Sequence, residues 1–160
     1  MRTVTEIIVH CTATPEGREC SVPEVADWHR QRGFETIGYH YLVHLDGRIS
    51  QGRPLSEKGA HCLGHNARSI GIAYVGGCAK DCKTPKDTRT KDQKIALRLL
   101  IDNIQHGRLP IPVSNGSYIC DSYTTPVRVG IYYNLNQLTI KGHNDYDKSK
   151  SCPSFNIAYL

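Results

Sequence analysis

Apolar and polar positions change period several times along this chain, and each change marks an element. Residues 4–9, VTEIIV, are mostly β-branched and apolar, which predicts a short buried strand ending at His10. CTATPEGREC then reads as loop. Ser21 and Glu24 have the S-x-x-E spacing of a capping box, opening a helix through VADWHRQR that Gly33 ends. GYHYLVHLDGRISQG reads as two strands around Asp46-Gly47, because both turn residues tolerate positive φ. SIGIAYVGG, residues 69–77, is another apolar strand closed by glycines. Thr90 with Gln93 starts a second capped helix, and IALRLLIDNI supplies its broad apolar face as far as Gly107. Residues 108–133 are rich in Pro, Gly, Ser, Thr and Tyr and read as a long loop with room for one small hairpin. A loop of that length is uncommon unless it has a function. LNQLTIKG, residues 135–142, alternates as a strand and delivers His143 at its end.

The resulting order, β-α-β-β-β-α-loop-β, predicts an α/β fold in which a mixed central β-sheet is flanked by helices. A chain of 160 residues can bury one core, so residues 1–160 are expected to form a single domain with 108–133 as a loop insertion. No apolar run is long enough to span a bilayer, and a soluble protein without integral membrane association is expected. MRTVTEIIVH lacks the apolar stretch and small-residue cleavage site of a secretory signal, which predicts synthesis in the cytoplasm and export by another route. Twenty basic against fifteen acidic residues give a net charge of +5, which favours polyanionic partners. That charge is spread along the chain, and no stretch interleaves basic and aromatic residues as single-strand binders do, so nucleic acid is not the expected partner.

Seven cysteines exclude a complete disulfide framework. Cys78 and Cys82 in GGCAKDC could be half of a metal site, but no second pair at comparable spacing completes it, and both read as reduced thiols. Cys11 adjoins His10, yet alternation along an extended strand points it to the other face, so it reads as core. No role attaches to Cys20, Cys62 or Cys120.

Candidate chemistry comes from both ends of the chain. His10 and His143 stand at the ends of predicted strands, where α/β sheets commonly gather functional groups. Cys152 follows His143 by nine residues, far enough for the chain to loop back toward the same point. Two imidazoles and a thiolate suit Zn²⁺ and leave a fourth tetrahedral position for water, as in a catalytic rather than a structural site. Lys150, two residues before Cys152, would share its face if the stretch is extended, and could stabilise an oxyanion. Tyr39 is a second candidate donor or proton shuttle. Each of these has a plainer reading: a hydrogen-bonded structural histidine, a tyrosine packed on the hairpin, an inert buried thiol.

IIVHCTAT, IGYHYLVHLDGRISQGRPL, KGAHCLGHNARSIGIAYVGG and KGHNDYDKSKSCPSF, in that order, resemble the zinc N-acetylmuramoyl-L-alanine amidases of the phage T7 lysozyme type, which share the amidase-2 or peptidoglycan-recognition-protein fold. The resemblance runs from about residue 4 to 156, with 108–133 as the main departure. It implies zinc-dependent hydrolysis of the amide between N-acetylmuramic acid and L-alanine in peptidoglycan, and hence cell-wall degradation by an endolysin or antibacterial effector. It also implies one zinc ion held by His10, His143 and Cys152, with Tyr39 and Lys150 assisting catalysis. By the same resemblance His61, Asn66 and Arg68 are candidates for muropeptide contacts, although His61 could equally be structural and Arg68 could simply finish the loop before the strand. The loop at 108–133 is a candidate wall of the groove. The expected enzyme is a monomer acting on the wall, in the periplasm or outside, after release or injection. Two competing readings stand beside it: a non-catalytic muropeptide-binding or regulatory protein using the same groove, and a fold with a purely structural zinc.

Overall fold

The computed structural model describes residues 2–107 and 138–160, with the backbone alone of 110–112, 118–120 and 131–133 between them. In chain order the elements are β1 Arg2–Val4, β2 Glu6–Cys11, β3 Thr14–Pro15, α1 Val22–Gln31, β4 Tyr41–Val43, β5 Ile49–Gln51, β6 Ser69–Tyr74, β7 Gly77–Cys78, α2 Lys91–Gln105, β8 Pro110–Pro112, β9 Tyr118–Cys120, β10 Ile131–Tyr133, β11 Thr139–Gly142 and α3 His143–Tyr146, followed by a 3-10 turn at Ile157–Tyr159.

Among the described residues the main sheet has five strands in the order β11-β2-β6-β4-β5. β2 runs parallel to both β11 and β6, and β4 runs parallel to β6 but antiparallel to β5. The sheet is therefore mixed, as expected. Every residue of β2 and of β6 is buried, which explains why these strands read as apolar runs: both faces of a parallel sheet are covered.

The faces divide by alternation. Ile7 and Val9 of β2 and Ile70, Ile72 and Tyr74 of β6 pack with Leu97, Leu100, Ile101 and Ile104 of α2. Leu42 and Ala73, pointing the other way, pack with Val25 and Ala26 of α1. Leu97, Leu100 and Ile104 are fully buried, so truncating any one to Ala removes about 2–5 kcal/mol of stability.

Both capping boxes form. Ser21 Oγ accepts from the Glu24 N–H while the Glu24 carboxylate accepts from the Ser21 N–H, and Thr90 and Gln93 repeat the arrangement. Gly33 and Gly107, each just beyond a helix, have φ of +89° and +74°, conformations that favour glycine. Gln93, although fully buried, is satisfied: its amide donates to the carbonyls of Val43 and Val75, fastening the start of α2 to the ends of β4 and β6.

Several boundaries differ from expectation. β2 continues through His10 to Cys11, so His10 is its penultimate residue rather than the one after it. The stretch read as loop contains β3, which pairs with β7. The strand expected from Gly38 begins at Tyr41. Within 108–133 the backbone of β8 pairs antiparallel with β9, and that of β10 runs parallel to β1. The side chains expected to wall the groove from 108–133 lie outside the described residues, as does the start of the strand expected over 135–142.

Candidate metal centre

His10 is carried on the α1 side of β2, opposite Ile7, Val9 and Cys11. β11 lies beside β2 with Gly142 level with Val9, so the chain turns into α3 at His143 next to His10, their ring centroids 4.7 Å apart. Cys152 returns to the same point because the Asn144 N–H donates to its carbonyl at 2.8 Å. The segment beyond it is clamped: the Tyr74 hydroxyl donates to the Pro153 carbonyl at 2.7 Å, and Ser154 Oγ donates to the Gly77 carbonyl at 2.9 Å. Arg89 lies over the Phe155 ring at 3.3 Å.

The ligand-type atoms of His10, His143 and Cys152 all lie within 4.8 Å of one another. His10 Nδ1 is 3.6 Å from Cys152 Sγ. A tetrahedral zinc with ordinary bonds to nitrogen and sulfur requires a separation of about 3.6 Å, so this pair fits the ion without adjustment. The Cys11 N–H donates to Cys152 Sγ at 3.2 Å, a contact that favours a thiolate.

Burial, reinforced by the neighbouring histidines, holds His10 well below the usual imidazole range. Burial also lowers His143, Lys150 adding to the effect and Asp147 opposing it. Both rings are therefore neutral near pH 7 and present lone pairs. The hydrogen bond with the Cys11 thiol, together with burial, raises Cys152 well above the usual thiol range. A cation must displace that proton, so metal binding here releases it.

A cleft of about 360 Å³ opens beside these residues and is lined by His143, Tyr39, His61, Asn66 and Lys150, among others. The Tyr39 ring lies 5.1 Å from both His10 and His29. Burial and the nearby Cys152 and Cys11 sulfurs raise its phenol above the usual tyrosine range, so it keeps its proton and can act as a donor. His29 Nδ1 accepts from the Gly38 N–H at 2.8 Å, fixing the backbone just before Tyr39.

Lys150 reaches the cleft by a route other than the one expected. Residues 148–150 form a turn, not an extended stretch, with the Lys150 N–H donating to the Asp147 carbonyl and Asp147 Oδ1 accepting from the Ser149 N–H. The polar Asp-Lys-Ser sequence favours such a turn over a strand.

The three candidates for substrate contact separate. Asn66 lines the cleft, but its Oδ1 accepts from the N–H groups of His61 and Cys62, holding their loop. His61 is buried with Nδ1 2.9 Å from His10 Nε2. Arg68 is not among the cleft-lining residues: its Nε donates to the Glu6 carboxylate at 2.5 Å. It satisfies a carboxylate that is 3% exposed at the first residue of β2.

Sequence reasoning passed over Glu6, Tyr146 and His29. A lone glutamate inside VTEIIV was the available signal, since a buried carboxylate needs partners.

Residues 1–155 match the Amidase_2 family model, described as N-acetylmuramoyl-L-alanine amidase. The endolysin of Klebsiella phage KP32 is 37% identical over 97 residues, 60% of this chain and 63% of that protein. The endolysin of Enterobacteria phage K11 is 28% identical over 153 residues, 95% of this chain and 82% of that protein. This chain thus spans less than two thirds of the first of these relatives. Among solved structures, the N-acetylmuramoyl-L-alanine amidase LysC from Clostridium intestinale URNW superposes with a TM-score of 0.63 over 96% of this chain and 78% of its own, at 24% identity, a likeness of fold.

Proposed function

Because this chain belongs to the N-acetylmuramoyl-L-alanine amidase family, we propose that it hydrolyses the amide joining the lactyl group of N-acetylmuramic acid to L-alanine in peptidoglycan, using one zinc ion per chain. The observation that carries this reading is the convergence of His10, His143 and Cys152 at a cleft that also holds Tyr39 and Lys150. A donor set of two neutral imidazoles and one thiol fits zinc, and three protein ligands leave the position that a catalytic site needs.

When bound, zinc supplies Lewis acidity, acidifying water and polarising a carbonyl oxygen. The chain supplies the rest. Lys150 presents an ammonium to the cleft and stabilises the negative charge that develops on the lactyl carbonyl oxygen as water adds to its carbon. Tyr39, protonated and held between His10 and His29, orients that water and passes a proton toward the alanine nitrogen. The C–N bond breaks, and the stem peptide departs with a free amino group at L-alanine. Asn66 shapes the loop that borders the cleft.

No helix among the described residues is long and apolar enough to cross a membrane. In this reading the protein works as a monomer on the cell wall, the layer on which an endolysin acts.

The test is to incubate zinc-loaded protein, beside Cys152→Ala, with peptidoglycan or a muropeptide and to analyse products by mass spectrometry. Stem peptide beginning at L-alanine together with unsubstituted muramic acid, absent with the variant, is the expected result. Intact substrate with both proteins, with binding still detectable, would instead make the cleft a recognition site without turnover.

A further inference from the structure

His10 has two ring nitrogens, and they face different partners. Nδ1 faces Cys152 Sγ at 3.6 Å, on the side where the ligand atoms converge. Nε2 faces His61 Nδ1 at 2.9 Å. A neutral imidazole carries one proton, so binding metal through Nδ1 obliges Nε2 to carry it and to donate it. His61 Nδ1 must then be the acceptor, which puts the His61 proton on Nε2. That atom lies 3.3 Å from Ser69 Oγ, whose own hydroxyl donates to the His65 carbonyl at 2.9 Å. Each proton in the series has one donor and one acceptor, and the direction is set at its far end by a carbonyl that can only accept. The reverse assignment would put a proton on His10 Nδ1, pointing at the sulfur, and would block the site.

The protein has built a slot for the intermediate ring. A Cβ on Gly71 would lie 2.5 Å from His61 Cδ2, and one on Gly59 would lie 2.6 Å from its Nε2, so both flanking positions leave room only for glycine. His40 closes the slot edge-on, its ring centroid 5.9 Å away and its Nδ1 accepting from the Gly71 N–H at 3.0 Å. A side chain held this way, with both nitrogens in hydrogen-bond contact, has little freedom to follow a substrate.

We propose that His61 is a positioning residue for the metal centre: by accepting from His10 Nε2 and donating to Ser69 it fixes the His10 tautomer and ring orientation that present Nδ1 to zinc. This rests on reading His10, His143 and Cys152 as the zinc ligands, and it replaces the muropeptide contact expected of His61. Partners of this kind on a ligating histidine are ordinarily carboxylates or carbonyls, and their loss weakens metal binding.

The experiment compares zinc affinity, by competition with a chromophoric chelator, for wild type, His61→Leu, His61→Asn and Ser69→Ala, each checked for folding by circular dichroism. His61→Leu removes the acceptor and is expected to weaken zinc binding about 10–100-fold. His61→Asn places an amide oxygen near the Nδ1 position and is expected to restore affinity close to wild type. Ser69→Ala cuts the outer link and is expected to fall between them, which keeps the test intact if His61→Leu does not fold. Nitrogen-15 spectra of the metal-free protein give a second readout: His10 protonated at Nε2 in wild type, with the preference lost in Ser69→Ala.

A folded His61→Leu with wild-type zinc affinity and only a raised KM for muropeptide would overturn the relay and return His61 to the substrate. Wild type that binds no zinc would also overturn it. Tight zinc binding that His61→Leu weakens, in a protein that leaves peptidoglycan intact, would uphold the relay and remove the amidase reading alone.

Discussion

The Tyr146 phenol donates to the Glu6 carboxylate, joining α3, whose first residue is His143, to β2, which carries His10. Glu6 also accepts from Arg68, and the His65 ring stacks on Tyr146 at 3.6 Å. The two elements that bear these candidate ligands are thus fixed to one another by a contact outside the cleft. Tyr146→Phe deletes a hydrogen bond to a charged group and should cost about 1.5–3 kcal/mol in urea unfolding. Zinc affinity should fall with it, because α3 is then free to shift; unchanged stability and affinity together would deny Tyr146 this role.

Acid should loosen the metal-free protein in two stages. Burial, aided by Arg32 and Arg53, lowers His29 to about 4, whereas in the unfolded chain it titrates near 6.5. The unfolded state therefore binds more protons between those values, and stability falls as pH drops through that window. Glu6 acts lower: burial raises it, but hydrogen bonds from Tyr146, Arg68 and His65 outweigh that and bring it below 4.5. Its contribution is complete above 4.5 and is lost as pH falls further. Unfolding midpoints measured across pH should show both declines, and His29→Asn should make only the upper one shallower, the rest of it coming from His10, His40, His61 and His143, which burial also holds below the usual imidazole range.

Metal removal should be visible without any substrate. Zinc at a hundred times its Kd should stabilise the folded chain by about 2.7 kcal/mol, and a chelator should abolish the gain. Cys152→Ala, lacking the third ligand, should show little shift on adding zinc. An equal shift in that variant would place the ion elsewhere.

Tyr39 and Lys150 should separate chemistry from metal binding. Lys150→Met removes a charge from the developing oxyanion and should lower kcat about 10²–10³-fold, while Tyr39→Phe should lower it about 10²–10⁴-fold. Zinc affinity measured on the same preparations should hold. If either variant lost zinc in proportion to activity, its part would be structural.

Local rules made much of this molecule legible. Ser21 with Glu24 and Thr90 with Gln93 needed only their own spacing to announce two helices, because a capping box is closed within one turn. His10, His143 and Cys152 were visible as residue types at expected strand ends and just beyond one, and the sheet order that sets β11 against β2 brings them together. What stayed hidden depends on the third dimension. The slot for His61 is made by Gly59 and Gly71, two unremarkable glycines until β6 lies beside β2. Glu6 finds Arg68 and Tyr146 at separations of 62 and 140 residues, beyond any periodic pattern.

His10 and Cys152, whose side chains meet at the centre, stand 142 positions apart in the chain. Contacts of that span close late in folding, since the loop entropy must be overcome before they contribute. On the ribosome His10 emerges before His143 and Cys152, and until those follow the nascent chain holds only one of the three side chains. Latency is therefore written into the order of these residues: in the proposed reading no zinc site exists until the segment bearing His143 and Cys152 has emerged and docked against β2.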